Sequence, residues 1–213
     1  MRLFKPGAVR VKICGITNEE DALLCADAGA DALGFNFFNG SKRRIDPRAS
    51  LDWIARLEGL ADRVAVVVNP APELLAELLD SGCFEMVQFH GDETPAQCAA
   101  AGWPCWMKAV RVKDEGSLRA AAEYSTPQIL LDAWSPTAYG GTGQTANWEL
   151  IAAADLGERS VVLAGGLTPE NVGDAIRTVK PAAVDVAGGV ESVPRHKDPD
   201  LVAEFLEAVR RAH

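Results

Sequence analysis

Eight short apolar runs rich in β-branched residues alternate with eight Ala/Leu/Glu-rich amphipathic stretches, and this alternation restricts the fold more than any other feature of the chain. The runs predict strands at Val9–Cys14, Ala32–Phe37, Arg63–Asn69, Met86–His90, Cys105–Arg111, Gln128–Ala133, Ser160–Ala164 and Ala183–Ala187. Between them, helices are predicted near Glu19–Ala28, Pro47–Leu57, Pro72–Ser81, Thr94–Ala101, Gly116–Tyr124, Trp148–Asp155, Pro169–Val179 and Pro199–Arg211. Proline or a capping residue opens most of them, as at Asp46-Pro47, Thr94-Pro95 and Thr168-Pro169. Strands separated by helices pair in parallel, so the class is α/β and the predicted architecture a single-domain (β/α)₈ TIM barrel over 1–213, with 1–8 a short N-terminal extension. An open doubly wound sheet would normally carry a glycine-rich dinucleotide turn after its first strand, and Cys14-Gly15-Ile16-Thr17-Asn18 is not one.

At 213 residues and 48% hydrophobic content, the chain can bury a substantial core. Its five cysteines are odd in number and irregularly spaced, which argues against a disulfide framework and for a reducing cytoplasm. The opening residues lack the apolar stretch of a signal peptide, and no run is long enough to span a membrane. A net charge of −9 disfavours nucleic acid and anionic membrane surfaces as partners. A small anionic metabolite held at one local site remains compatible with it.

Side chains alternate across a strand, so if Cys14 points into the barrel Lys12 does too, while Val11 and Ile13 face the helices. By the same parity Gln88 shares a face with His90, Asp132 with Leu130, and Asp185 with Ala183. Polar groups inside a small barrel are costly unless paired, so their recurrence near strand ends points to an active-site layer. On this count Lys12 and Asp185, on the first and last strands, form an interior ion pair. Cys14 alone reads as a small packing residue, since free cysteine is usually buried and inert. At a strand exit, opposite the carboxyl of Asp132, it also reads as one half of an acid–base couple. Gly165-Gly166 and Gly188-Gly189 close the last two strands, where backbone N–H groups can approach a phosphate. The long sixth loop, with Gly141 and Gly143, reads as a lid.

These residues together resemble the phosphoribosylanthranilate isomerase family of tryptophan biosynthesis, over nearly the whole chain. The similarity rests on Lys-Ile-Cys-Gly-Ile-Thr at 12–17, Gly-Ala-Asp-Ala-Leu-Gly-Phe at 29–35, Ser-Lys-Arg-Arg-Ile at 41–45 and Val-Gln-Phe-His-Gly at 87–91. Leu-Leu-Asp at 130–132, Tyr-Gly-Gly-Thr-Gly at 139–143, Leu-Ala-Gly-Gly-Leu-Thr-Pro-Glu-Asn-Val at 163–172, Val-Asp-Val at 184–186 and Gly-Val-Glu at 189–191 complete it. The resemblance implies a general base at Cys14, a general acid at Asp132 and a substrate-carboxylate anchor at Arg43. It further implies substrate contacts from Gln88, His90 and Asp185, phosphate contacts from Gly165, Gly166, Gly188 and Gly189, and neither metal nor organic cofactor. The implied partner is a small phosphosugar, and a monomer is expected rather than a homodimer. The thiol would need nearby positive charge, from Lys12 or the substrate, to act as a thiolate.

Three positions depart from the family's habit: Arg44 where an aromatic is common, Ala146-Asn147 where Phe-Asp is usual, and Ala187-Gly188 where hydroxyl residues are common. Competing phosphosugar barrels fit less well. Indole-glycerol-phosphate synthase would need a lysine acid in place of the thiol, and the histidine-pathway isomerase a pair of aspartates. A non-catalytic barrel would fit lost catalytic groups, and here they are present.

Overall fold

The computed structural model describes residues 1–134 and 145–212. In chain order the elements are β1 (Arg10–Cys14), α1 (Glu19–Ala28), β2 (Ala32–Asn36), α2 (Pro47–Ala55), β3 (Asp62–Val67), α3 (Pro72–Asp80), β4 (Met86–Phe89), α4 (Pro95–Ala100), β5 (Trp106–Val112) and α5 (Glu115–Ala121). They continue as β6 (Gln128–Ala133), α6 (Trp148–Ala152), β7 (Ser160–Leu163), α7 (Val172–Val179) and β8 (Ala183–Val186). A 3₁₀ turn (Gly188–Val190), β9 (Glu191–Val193), β10 (His196–Lys197) and α8 (Pro199–Arg211) follow. Strands β1 to β8 pair in sequence order and close into a parallel barrel, as the alternation predicts. The closure is the β1–β8 seam, where Lys12 lies opposite Asp185.

Local chemistry sets most helix starts. Asn18 caps α1 by accepting from the Asp21 N–H, and Asp46 caps α2 just ahead of Pro47. Thr94 and Gln97 form a reciprocal capping box on α4. The seventh helix differs from expectation: it begins at Val172, not at Pro169. Asn171 explains the delay, because its amide accepts from the Thr168 N–H and donates to the Gly166 carbonyl, each at 2.9 Å. These bonds hold 168–171 in a turn before the helix can propagate.

Two apolar clusters follow from the period of two. The larger, including Val11, Ile13, Leu33, Phe35, Val87, Phe89, Leu131 and Val184, lies between barrel and helices. The smaller fills the barrel itself with Ala32, Val64, Met86, Met107, Ala109, Leu130, Val162 and Ala183. Leu3, from the segment expected to be a plain extension, is fully buried in this inner cluster, and its N–H donates to Asp62 Oδ2 at 2.8 Å. The β9–β10 hairpin was not foreseen either; its strands of three and two residues are too short to leave a periodic signal. No helix among the described residues is long and apolar enough to cross a membrane.

Candidate active site

The exit of β1 brings a thiol and an ammonium to one point. A first side-chain carbon at Gly34, the neighbour of Cys14 on β2, would lie 2.8 Å from both Cys14 Sγ and Lys12 Nζ. Gly34 therefore has no side chain because two functional groups occupy that space. The Lys12 ammonium, fully buried, donates to Asp185 Oδ1 at 2.8 Å, so the expected pair across the seam is present. Burial works against the charge on Lys12, but Asp185 and the Cys14 thiol outweigh it and the net shift is upward from 10.5. Burial pushes the Asp185 carboxyl up from 3.8, with Lys12 drawing it part of the way back.

The positive charge beside Cys14 does not outweigh its burial. Burial raises its thiol above the usual 9.0, Lys12 and Lys197 pull the other way, and burial prevails. Lys12 supplies the foreseen positive charge, but its effect is partly cancelled by Asp185 immediately behind it.

On the far side of the barrel, β6 delivers Asp132. The Ala133 N–H donates to its Oδ1 at 2.8 Å, and His90 Nε2 lies 3.2 Å from its Oδ2. Gln88 Nε2 donates to His90 Nδ1 at 2.9 Å, which leaves the imidazole hydrogen on Nε2, facing Asp132. Gln88 itself is fully buried, and its Oε1 has no hydrogen-bond partner among the described residues. The pairs expected from parity, Gln88 with His90 and Asp132 near the rim, are thus assembled into one relay.

The glycines of the last two loops are fixed by close packing as well as by any ligand. Gly165 has φ of +91°, and a side-chain carbon there would lie 2.5 Å from the Ala133 nitrogen and 3.0 Å from Asp132 Oδ1. It lets the loop after β7 lie directly against Asp132. The Gly166 carbonyl accepts from Asn171, Gly188 faces Arg43 Nη2, and a side chain at Gly189 would overlap the Leu167 carbonyl oxygen. Gly141 and Gly143, the expected lid glycines, lie outside the described residues.

Arg43 reaches the site across Gly15, whose φ of +77° and missing side chain leave room for the arginine's methylenes. Its guanidinium is held by a residue for which sequence reasoning offered no role. Nε and Nη2 donate to Glu191 Oε1 and Oε2, each at 2.7 Å. That bond raises the pKa of Arg43, with burial opposing; burial pushes Glu191 up, but Arg43 and Lys197 together outweigh it and the net shift is downward from 4.5. Lys197 was also missed, and no signal short of the hairpin itself would reveal it. Arg44 instead turns outward, 3.5 Å from Asp46, and both side chains are largely exposed. Among the other departures, Asn147 caps α6 by accepting from the Leu150 N–H at 2.9 Å, and Ala146 is buried. Among the described residues, no group of three His, Cys, Asp or Glu side chains is placed to hold a metal ion.

Comparison with known proteins gives a concordant result. The model of the family described as N-(5'phosphoribosyl)anthranilate (PRA) isomerase matches residues 11–208. The N-(5'-phosphoribosyl)anthranilate isomerase of Trichlorobacter lovleyi is 47% identical over 96% of this chain and 99% of its own. The crystal structure of phosphoribosyl anthranilate isomerase from Thermotoga maritima superposes with a TM-score of 0.86 at 40% identity, over 95% of this chain and 99% of that one. The T. maritima enzyme is dimeric. A phosphoribosyl anthranilate isomerase in complex with reduced 1-(o-carboxyphenylamino)-1-deoxyribulose 5-phosphate superposes with a TM-score of 0.83 at 39% identity, over 95% and 99% of the two chains. With the family model spanning both ends of the barrel, this chain belongs to the N-(5'-phosphoribosyl)anthranilate isomerase family.

Proposed function

We propose that this chain converts N-(5'-phosphoribosyl)anthranilate to 1-(o-carboxyphenylamino)-1-deoxyribulose 5-phosphate, using its own acid and base groups. The observation that carries this reading is the convergence of Cys14 and Asp132, on opposite sides of the barrel, on the same charged interior layer. Asp132 gives a proton to the furanose ring oxygen as the C1′–O4′ bond breaks and the anilino nitrogen becomes an iminium. Cys14, as thiolate, removes the C2′ proton, and the electron pair neutralises the iminium to give an enolamine that tautomerises to the ketone. His90, oriented by Gln88, holds Asp132 in place with its Nε2–H. Asp185 meets a sugar hydroxyl while bonded to Lys12, and Arg43 holds the aryl carboxylate. Backbone N–H groups at Gly165, Gly166, Gly188 and Gly189 take the phosphate.

The resting thiol is consistent with this order of events. An iminium formed beside the thiol would add positive charge that opposes the upward shift burial gives it. The chemistry belongs to the third step from chorismate to tryptophan. Free thiols at all five cysteines support a cytoplasmic setting. The chain is proposed to act as a monomer, because the large exposed apolar side chains among the described residues (Met1, Leu23, Leu60, Trp134 and Val193) come from separate segments. Light scattering would test this, and a mass twice that of the chain would overturn it.

The direct test is turnover. Purified protein added to freshly made N-(5'-phosphoribosyl)anthranilate should abolish its fluorescence and yield the aminoketose. Persistence of the signal, with the protein folded by circular dichroism, would overturn the reading.

A further inference from the structure

The β9–β10 hairpin brings to the site two charged groups that no step of the proposed reaction uses. Lys197, buried, donates through one ammonium to the Cys14 carbonyl at 2.8 Å, the Ala187 carbonyl at 2.9 Å and Glu191 Oε1 at 3.0 Å. Glu191 in turn accepts both hydrogen bonds from the Nε–Nη2 edge of Arg43. A guanidinium has a second edge, formed by Nη1 and the other N–H of Nη2, which can also grip a carboxylate in parallel. Among the described residues, Nη1 donates to no protein acceptor. Two cations around one anion leave the cluster with a single positive charge.

We propose that Glu191 and Lys197 are positioning residues that set the substrate specificity of Arg43: Glu191 fixes the guanidinium by one edge so that the other faces the substrate's aryl carboxylate, and Lys197 offsets the charge of Glu191. This rests on the reading of Arg43 as the carboxylate anchor. Each half of the device has a physical reason. An arginine lying over Gly15 without Glu191 would have to be ordered at each binding event, at a cost in side-chain entropy that falls on affinity. A Glu191–Arg43 pair without Lys197 would be neutral, and an incoming carboxylate would meet a carboxylate directly behind the guanidinium. The same ammonium ties the backbone at Cys14 to the loop after β8, so the base, the phosphate loop and the anchor share one fixed point.

The opposite role is also physically definable. If Glu191 merely competed with substrate for Arg43, removing its charge would strengthen binding. Calorimetric titration with the reduced product analogue, and with the same molecule lacking the aryl carboxylate, separates the two. Glu191→Gln is expected to weaken binding of the carboxylate-bearing analogue roughly tenfold or more, the scale of one charged hydrogen bond. Binding of the decarboxylated analogue should change less than about twofold, which also reports an intact phosphate site. In turnover the loss should appear in KM far more than in kcat. Unchanged or tighter binding of the carboxylate-bearing analogue by Glu191→Gln, in protein where Arg43→Ala does weaken it, would overturn the proposal. Failure of Arg43→Ala to discriminate between the analogues would instead overturn the anchor reading. Should Glu191→Gln alone not fold, the Glu191→Gln/Lys197→Met double variant removes both buried charges and carries the same expectation. Wild-type discrimination by that double variant would count against the proposal equally.

Discussion

The floor and the rim of the barrel interior are built from the same alternating register but obey different rules. The floor is lined mainly by apolar side chains, with Leu3 from the N-terminal segment sealing Ala32, Val64, Met86, Met107, Leu130 and Val162 and its N–H bonded to the buried Asp62. The rim, a few residues further along the same strands, carries Lys12, Gln88, Asp132 and Asp185, with His90 immediately after β4, all buried or nearly so. Burying the floor stabilises the fold chiefly by area. Burying the rim costs desolvation that its ion pairs and hydrogen bonds only offset, so a hydrophobic rim would serve stability as well or better. The contrast teaches that the rim's composition answers to chemistry and the floor's to packing.

The sharpest way to test that division is at the two groups proposed to transfer protons. Cys14→Ala and Asp132→Asn should each lower kcat by about 10²–10⁴-fold while leaving the melting temperature near wild type. Near-normal turnover in either would remove that residue from the chemistry. Next in size is the seam pair. Lys12→Met leaves a buried, unpaired Asp185 and should cost roughly 3–5 kcal/mol, whereas Lys12→Met/Asp185→Leu should cost much less. The pH dependence has a defined sign. Asp185 has its pKa raised by burial, so its contribution to stability is fully present below the unfolded value and lost as pH rises through the folded one. Removing Lys12 takes away the partner that moderates this, so chemical denaturation should show the single variant more destabilised at pH 8 than at pH 5. The reverse trend would dissolve the pair.

A smaller effect belongs to the floor. Leu3→Ala should cost about 2 kcal/mol, the low end for such truncations because a terminal segment relaxes easily, with kcat unchanged. A drop in kcat without loss of stability would break the floor–rim distinction. The smallest expected change is a displaced pH profile. Burial raises Cys14, so the single-turnover rate should climb with pH toward that raised value; Lys12→Met should move the rising limb further up, since Lys12 holds the thiol down. A downward displacement would mean that Lys12 does not assist the thiolate.

How much of this was legible in the sequence depended on how local each determinant is. Parity along one strand needs no knowledge of the rest, so Cys14 and Lys12 inside and Val11 and Ile13 outside could be read directly, and barrel closure then brought Lys12 to Asp185. Helix α8 matches its predicted limits because Asp198 and Pro199 fix its start locally. The start of α7 was misplaced because Asn171, not Pro169, governs it through bonds to Gly166 and Thr168. Glu191 was visible as part of a motif, but its grip on Arg43 spans 148 positions and depends on a hairpin with no periodic signature. At Cys14 the sequence shows the lysine that lowers the thiol's pKa but not the burial that raises it.

The Lys12–Asp185 bond joins residues 173 positions apart. Loop closure over that span carries an entropic penalty that local contacts along the growing sheet do not, so the seam is expected to close late in assembly. Until β8 docks, Lys12 has no anion to meet and the loop after β8 has no place beside Arg43. A chain in which the seam has not closed would hold Cys14 and Asp132 without the Lys12–Asp185 pair beside them. Recovery of activity during refolding should lag recovery of helical signal, and the interval between them would time the closing of the ring.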